Sequence, residues 1–150
     1  MKVVIQRVSK ANVSIDNDVK SEIGQGQLIL LGIEDADNDA DIEWLCNKII
    51  NLRIFDDSEG VMNLSLKDVN GDAIIVSQFT LHAKTKKGNR PSYIKAAKPD
   101  IAVPLYEKFV KKFEEILGKK VGTGEFGAEM ELTLTNSGPV TIIIDTKNKE

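Results

Sequence analysis

Leu28-Ile29-Leu30-Leu31-Gly32-Ile33 is apolar on both faces. A short run of that kind, bounded by glycine and acidic residues, reads as a strand in the middle of a sheet. Toward the N-terminus, Val3, Val4, Ile5 and Val8 form a β-rich run, and Val13 and Ile15 alternate with Ser14 and Asp16. That is the period of a half-buried strand, and Asn17-Asp18 after it reads as a hairpin turn. Toward the C-terminus the period changes. Ile42, Leu45, Cys46, Ile49 and Ile50 fall at i, i+3, i+4, i+7 and i+8, one face of a helix. Asn38 or Asp39 is placed to cap it, and the acids between Glu34 and Glu43 lie where the helix dipole favours negative charge. Ala73-Ile74-Ile75-Val76 is a second buried strand, expected to run on through Ser77-Gln78-Phe79-Thr80-Leu81.

A second helix carries Ala102, Tyr106, Phe109, Phe113 and Ile116 on one face. Gly118 is its stop, and Pro104 places the start of its regular part nearby, because an interior proline breaks a helix. The last strands lie between Met130 and Asp145, with Leu132 and Leu134 alternating and Asn136-Ser137-Gly138-Pro139 as a turn between two runs. Strand runs with two segregated helices predict an α+β fold with a mostly antiparallel sheet. Neither an internal repeat nor a linker composition is present, so one domain over residues 1–150 is expected.

The charge sum is 20 basic against 23 acidic residues, −3 overall, which excludes a generally cationic nucleic-acid coat. One cysteine, Cys46, excludes a disulfide framework and a cysteine zinc cluster. These features, with no apolar run near the ~18 residues of a membrane span, lead to the expectation of a cytoplasmic protein without signal peptide, membrane anchor, metal or cofactor.

Two motif matches fail on context. Gly122-Thr123-Gly124-Glu125-Phe126-Gly127 fits G-x-G-x-x-G, but a strand pattern follows where a dinucleotide site needs a helix. Asp35 to Asp39 resembles a calcium loop, but its sixth position is Ala40 and its twelfth is Cys46. His82, the one histidine, stands two residues from Thr80, so on a strand both would face one way as a nucleophile–base pair. Nothing nearby would orient the imidazole, and a surface histidine at a strand end is the alternative.

Three signals survive. Lys84, Lys86, Lys87, Arg90, Lys95 and Lys98 occupy a stretch with no acid, either a solvated loop or a phosphate-contacting surface. Ser77-Gln78-Phe79-Thr80 puts two hydroxyls, an amide and an aromatic at a buried strand's end, where the polar groups need partners. Gly138-Pro139 carries a peptide bond of the one type with an appreciable cis population.

Ser77-Gln78-Phe79-Thr80-Leu81 and Asn136-Ser137-Gly138-Pro139-Val140-Thr141 resemble the two signature motifs of the D-aminoacyl-tRNA deacylase family. Gln6-Arg7-Val8, Asn51-Leu52-Arg53-Ile54-Phe55, Met62-Asn63-Leu64-Ser65, Lys87-Gly88-Asn89-Arg90-Pro91 and Phe126-Gly127-Ala128 match in order over nearly the whole chain. Ser137 departs from the aspartate that many relatives carry. The resemblance implies a barrel-like core, a homodimer and hydrolysis of the ester joining a D-amino acid to the terminal adenosine of tRNA. The glycyl ester on tRNA-Ala is implied as a second substrate, and DNA is not a partner. Ser77, Gln78, Phe79 and Thr80 are implied as the catalytic segment. Gly138 and Pro139, as a Gly-cisPro motif, are implied to reach into the partner's site and reject L-amino acids. Arg7 is implied to steady that turn. Phe79, Phe126 and Met130 are implied to line an adenosine pocket, with Lys84, Lys86, Lys87 and Arg90 as tRNA phosphate contacts. Two rival readings are a non-catalytic tRNA-binding module and a small-molecule esterase using Thr80 and His82.

Overall fold

A computed structural model describes residues 1–150. β1 (Lys2–Ile15) turns back into β2 (Asp18–Ile23). The turn is Asp16-Asn17, one residue earlier than the sequence suggests, and both residues have positive φ, 50° and 66°. That is the conformation a two-residue hairpin loop demands, and Asp and Asn tolerate it. β3 (Gly26–Gly32) is the expected central strand, lying between β1 and the later β6 (Asp72–Ser77).

α1 (Asp39–Asn51) buries all five residues of its apolar face. Asn38 caps it. Its side chain accepts from Ala40 N, and Asp41 reaches back to the Asn38 N–H at 2.9 Å, an arrangement worth about 1 kcal/mol. A small separate hairpin, β4 (Phe55–Asp56) and β5 (Met62–Leu64), follows α1. β6 ends at Ser77 and gives way to a 3₁₀ turn over Phe79–His82. α2 (Pro99–Leu117) starts five residues before Pro104. Pro104 is accommodated because it sits on the exposed face within the second turn, where the carbonyl it deprives, that of Asp100, remains open to water. Gly118 ends α2 in the left-handed conformation at φ 84°. β7 (Gly122–Thr123) pairs with β6, and β8 (Glu131–Asp145) pairs with β1.

The sheet runs β2-β1-β3-β6-β7, with β8 added along β1. It is mixed rather than mostly antiparallel, because β3–β6 and β6–β7 are parallel. The cause is the placement of the helices. α1 lies between β3 and β6 in the chain and α2 between β6 and β7, so each is a crossover of the kind that parallel strands require. The helices alternate with strands along the chain, which the expectation of a mostly antiparallel sheet overlooked. Ser21 draws the two outer strands together: its Oγ donates to Thr123 O at 2.7 Å and accepts from Thr123 N at 3.1 Å. The result is nearly a barrel. Val8, Val13, Leu28, Ile74 and Val76 fill its interior, while α1 and α2 pack a larger core against the other face through Leu45, Ile49, Phe109 and Phe113. No helix is long and apolar enough to cross a membrane.

The ends of β1 and β8 are tied by charge. The buried Met1 ammonium pairs with Asp37 and donates to Thr146 Oγ1 at 2.8 Å. Beside them, burial works against ionisation of Asp41, but bonds from Thr146, Lys147 and the Asn38 N–H outweigh it and hold its carboxyl at about 2, against an ordinary 3.8. A depressed pKa stabilises the fold above the unfolded value, and that stability is lost as pH falls through the folded value. Urea titrations are therefore expected to show stability falling between about pH 4 and about pH 2, with that part of the profile flattened in Asp41→Asn.

Candidate active site

Two polar clusters lie at opposite ends of the sheet. The first forms where β3 and β6 end together, with Leu31 beside Ser77. Gln78 N donates to Leu31 O at 2.8 Å, and Leu81 N and Ala83 N donate to Gln78 O and Thr80 O. The chain therefore leaves the sheet at Ser77 and coils at once. Gly32 lets the turn sit close to β3. A methyl group there would lie 3.0 Å from Leu81 Cβ and 3.1 Å from Gln78 O. Phe79 is thrown outward and left half exposed.

Beside the turn is a cleft of about 600 Å³, within the range of small-molecule sites. Val76, Phe79, Tyr93, Phe126, Met130 and Leu132 supply its apolar wall. Tyr93 meets Phe79 edge to face, with centroids 5.1 Å apart. The Phe126 and Met130 side is held from β2 and the core. Lys20 Nζ donates to Gly124 O, Gly124 Cα packs on the Met130 sulfur, and Phe126 tilts against Tyr106 at 6.4 Å. Tyr106 in turn donates to Ile75 O at 2.7 Å, and burial pushes its phenol up to about 12. Lys84, Lys86, Lys87 and Arg90 are exposed on the loop that leaves this end. That loop is pinned only at its neck, where Lys84 and Ser92 exchange backbone bonds at 2.8 and 3.0 Å.

The second cluster surrounds Arg7. β8 is one strand over residues 131–145 rather than two joined by a turn, but Ser137 to Val140 leave the ladder with β1. They form an outward bulge. The side chain of Asn136 takes over locally, accepting from Val140 N at 2.8 Å. Gly138 and Pro139 are exposed, and the bond between them is cis. Arg7 is 8% exposed. Its Nε donates to Ser137 O at 2.8 Å and its Nη1 to Ile54 O at 2.8 Å, with Asp56 Oδ1 3.3 Å away.

In one chain these clusters are kept apart. Arg7 stands opposite Gln27 and next to Ala73 beyond it, while Val3 stands opposite Leu31 and next to Ser77 beyond that. The offset is four residues of strand, about 13 Å. Phe79, Phe126 and Met130 are brought together, as are Arg7 and the Gly138-Pro139 bulge, but the two sets do not meet.

Thr80 and His82 form no pair. They lie on a 3₁₀ turn, where residues two apart point in different directions, not on a strand. His82 is buried at 6% exposure with Nε2 unpartnered, and the Thr80 hydroxyl instead accepts from Gln78 Nε2 at 2.5 Å. Sequence reasoning missed Tyr93, although an aromatic inside a run of cations was a readable signal of base stacking. It also missed the roles of Ile54, quoted only within a matching segment, and of Asp56, visible only as a charge.

The chain is similar to known proteins over nearly its whole length. A family model described as D-Tyr-tRNA(Tyr) deacylase matches residues 4–145. A D-aminoacyl-tRNA deacylase of Flavobacterium psychrophilum is 67% identical over 150 residues, and one of Bacteroides thetaiotaomicron is 63% identical, each aligned over the full length of both chains. The solved structure of a c-Myc DNA unwinding element binding protein superposes with a TM-score of 0.93 at 36% identity, covering 97% of this chain and 99% of its own. With both motifs in place in a fold shared end to end, the chain belongs to the D-Tyr-tRNA(Tyr) deacylase family.

Proposed function

We propose that the protein hydrolyses the ester of D-aminoacyl-tRNA, and of glycyl-tRNA-Ala, releasing the free amino acid and tRNA. The observation that carries this is the aromatic cleft beside Ser77-Gln78-Phe79-Thr80, sized for a nucleoside, with an acid-free cationic loop leaving its rim. The terminal adenine stacks among Phe79, Phe126 and Met130, a contact worth about 1–3 kcal/mol. Lys84, Lys86, Lys87 and Arg90 meet the phosphates. The Phe79 and Thr80 N–H groups head the 3₁₀ turn, where donors lack intrahelical partners. They suit an oxyanion formed at the ester carbon.

The protein acts as a homodimer in this reading. Support comes from the offset of about 13 Å along the strands between the Arg7 row, which carries the hook, and the Ser77 row, where the cleft begins. A hook that cannot reach its own cleft serves the cleft of a second copy. Its main-chain carbonyls take the substrate α-ammonium by charge-assisted bonds. With ammonium and ester both held, an L side chain overlaps the hook and a D side chain points away, so selection works by rejection. Glycine has nothing to reject and passes.

Thr80 positions rather than attacks. Its hydroxyl is bonded to an amide N–H donor, which accepts no proton, and no base is within reach. The tRNA ribose 2′-hydroxyl is the assisting group for the attacking water. Thr80→Ala is expected to slow turnover by at most about ten-fold. A loss above about 100-fold, as when a general base or nucleophile is removed, with tRNA binding intact would make Thr80 the nucleophile.

The decisive assay compares D-Tyr-tRNA, L-Tyr-tRNA, glycyl-tRNA and a free D-tyrosine ester. The first and third are expected to be cleaved, the others spared. Binding without cleavage would leave a tRNA-binding module, and cleavage of the free ester a general esterase. Full activity from a strictly monomeric species in sedimentation would overturn the shared site.

A further inference from the structure

We infer that Asp56, on the β4–β5 hairpin, is a positioning residue that sets how stiffly the Gly138-Pro139 hook is held, and so the ratio of D- to L-aminoacyl-tRNA cleavage. The inference rests on the hook proposed above and adds a residue to it.

The Arg7 guanidinium ties the hook to the hairpin. It lies between two pieces of chain, donating through Nε to the hook at Ser137 O and through Nη1 to the hairpin at Ile54 O and Asp56. It also fills the space a side chain at Gly138 would take, since a Cβ there would lie 2.9 Å from Arg7 Nη2. The hook is therefore only as firm as the hairpin behind it. Asp56 is the one carboxylate paired with Arg7, at 3.3 Å. A buried guanidinium held by carbonyls alone keeps its direction less well than one that also has a counter-charge.

The hairpin is fit to be an anchor because it is stiffened independently of Arg7. Asp57 Oδ1 accepts from Glu59 N at 2.9 Å and Val61 N at 3.1 Å, and Oδ2 from Asn63 Nδ2 at 3.2 Å. The Val61 and Glu59 N–H groups hold its carboxyl below the usual range. Arg53 Nε closes the base on Asn63 O at 2.9 Å. Asp56 is thus presented to Arg7 from a preformed turn. Asp56 itself is 52% exposed, so its effect is moderate and sensitive to salt.

The test measures D-Tyr-tRNA and L-Tyr-tRNA cleavage by the full-length protein and its Asp56→Asn, Asp56→Ala and Asp56→Glu variants, with melting temperatures alongside. Asn and Ala are expected to lower the D/L ratio about two- to five-fold, the range of a half-exposed ion pair, with Glu restoring part of it. Raising salt from about 0.1 M to about 1 M shortens screening from about 10 Å to about 3 Å. It should move the wild-type ratio toward that of Asp56→Asn and leave the variant's ratio unchanged. Both substrates carry the same tRNA, so the salt dependence of phosphate contacts cancels. Even if a substitution fails to fold, a wild-type ratio that does not move with salt overturns the inference. An unchanged ratio, or D and L rates falling together with stability, would overturn the role of Asp56. Gly138→Ala separates the two levels. If it abolishes D-substrate cleavage while Asp56 variants leave the ratio alone, the hook stands and this inference falls. If it too is silent, both fall.

Discussion

Gly138→Ala is expected to lower kcat/KM on D-aminoacyl-tRNA about 100-fold, the cost of displacing a catalytic contact by about 1 Å. Gly138 has φ +133°, a conformation that residues with a Cβ rarely adopt. The added methyl would also lie 2.9 Å from both Arg7 Nη2 and Val140 Cγ2, and 3.2 Å from Val140 N. Arg7 has little room to yield because Ser137 O and Ile54 O hold it at two nitrogens. The backbone of the hook must move, and its carbonyls move with it. The strain costs about 1–3 kcal/mol, or roughly 2–12 °C in melting temperature for a chain of this size. Steady-state kinetics well below the transition, on D- and L-Tyr-tRNA, therefore read the hook and not unfolding. Wild-type cleavage of the D substrate by this variant would remove Gly138 from the active site.

The parts of this molecule that sequence periodicity reaches are those whose partners are numerous and apolar. The face of α1 is legible because Ile42, Leu45, Cys46, Ile49 and Ile50 repeat at helical spacing and all five are buried. Direction of strand pairing is another matter. Nothing in Gly26–Gly32 or Asp72–Ser77 states that they run parallel. That followed from α1 lying between them, an inference open to a reader of the sequence who treats each helix as a crossover. The four-residue 3₁₀ turn at Phe79–His82 is too short for any period, so the same-face argument for Thr80 and His82 rested on a strand that ends at Ser77.

The site divides in the same way. Phe79, Phe126 and Met130 were reachable through the motifs, and the cleft does gather them. The hook's support was only half legible. Arg7 is a named residue, but its partners at Ser137 and Ile54 are main-chain carbonyls. Every residue carries that acceptor, so residue identity at those positions says nothing about the bond. Asp56 is visible as a charge, yet its pairing depends on how a hairpin remote in sequence docks against β1.

Gly26→Ala, at the far end of the same strands, is expected to cost stability. Gly26 opens the parallel ladder opposite Asp72. A methyl group there would lie 1.8 Å from Asp72 O, 2.7 Å from Asp72 C and 2.9 Å from Asp72 N. All three are backbone atoms, so no side chain can swing away and the start of β6 must separate from β3. Overpacking of this severity costs about 3 kcal/mol, or roughly 6–12 °C in melting temperature. Ser77, where the cleft begins, is five residues along β6 from Asp72, about 17 Å. In folded Gly26→Ala protein, assayed well below its transition, the cleft is therefore expected to keep its shape, and a loss of D-Tyr-tRNA cleavage would report on the hook, because Gly26 stands opposite Val8, next to Arg7. Gly24 supplies the control two residues away. A Cβ there meets nothing within 4 Å, so Gly24→Ala should instead add about 0.4–1 kcal/mol by restricting the unfolded chain. Equal melting temperatures for the two variants would show that the β3–β6 contact at Asp72 does not limit stability.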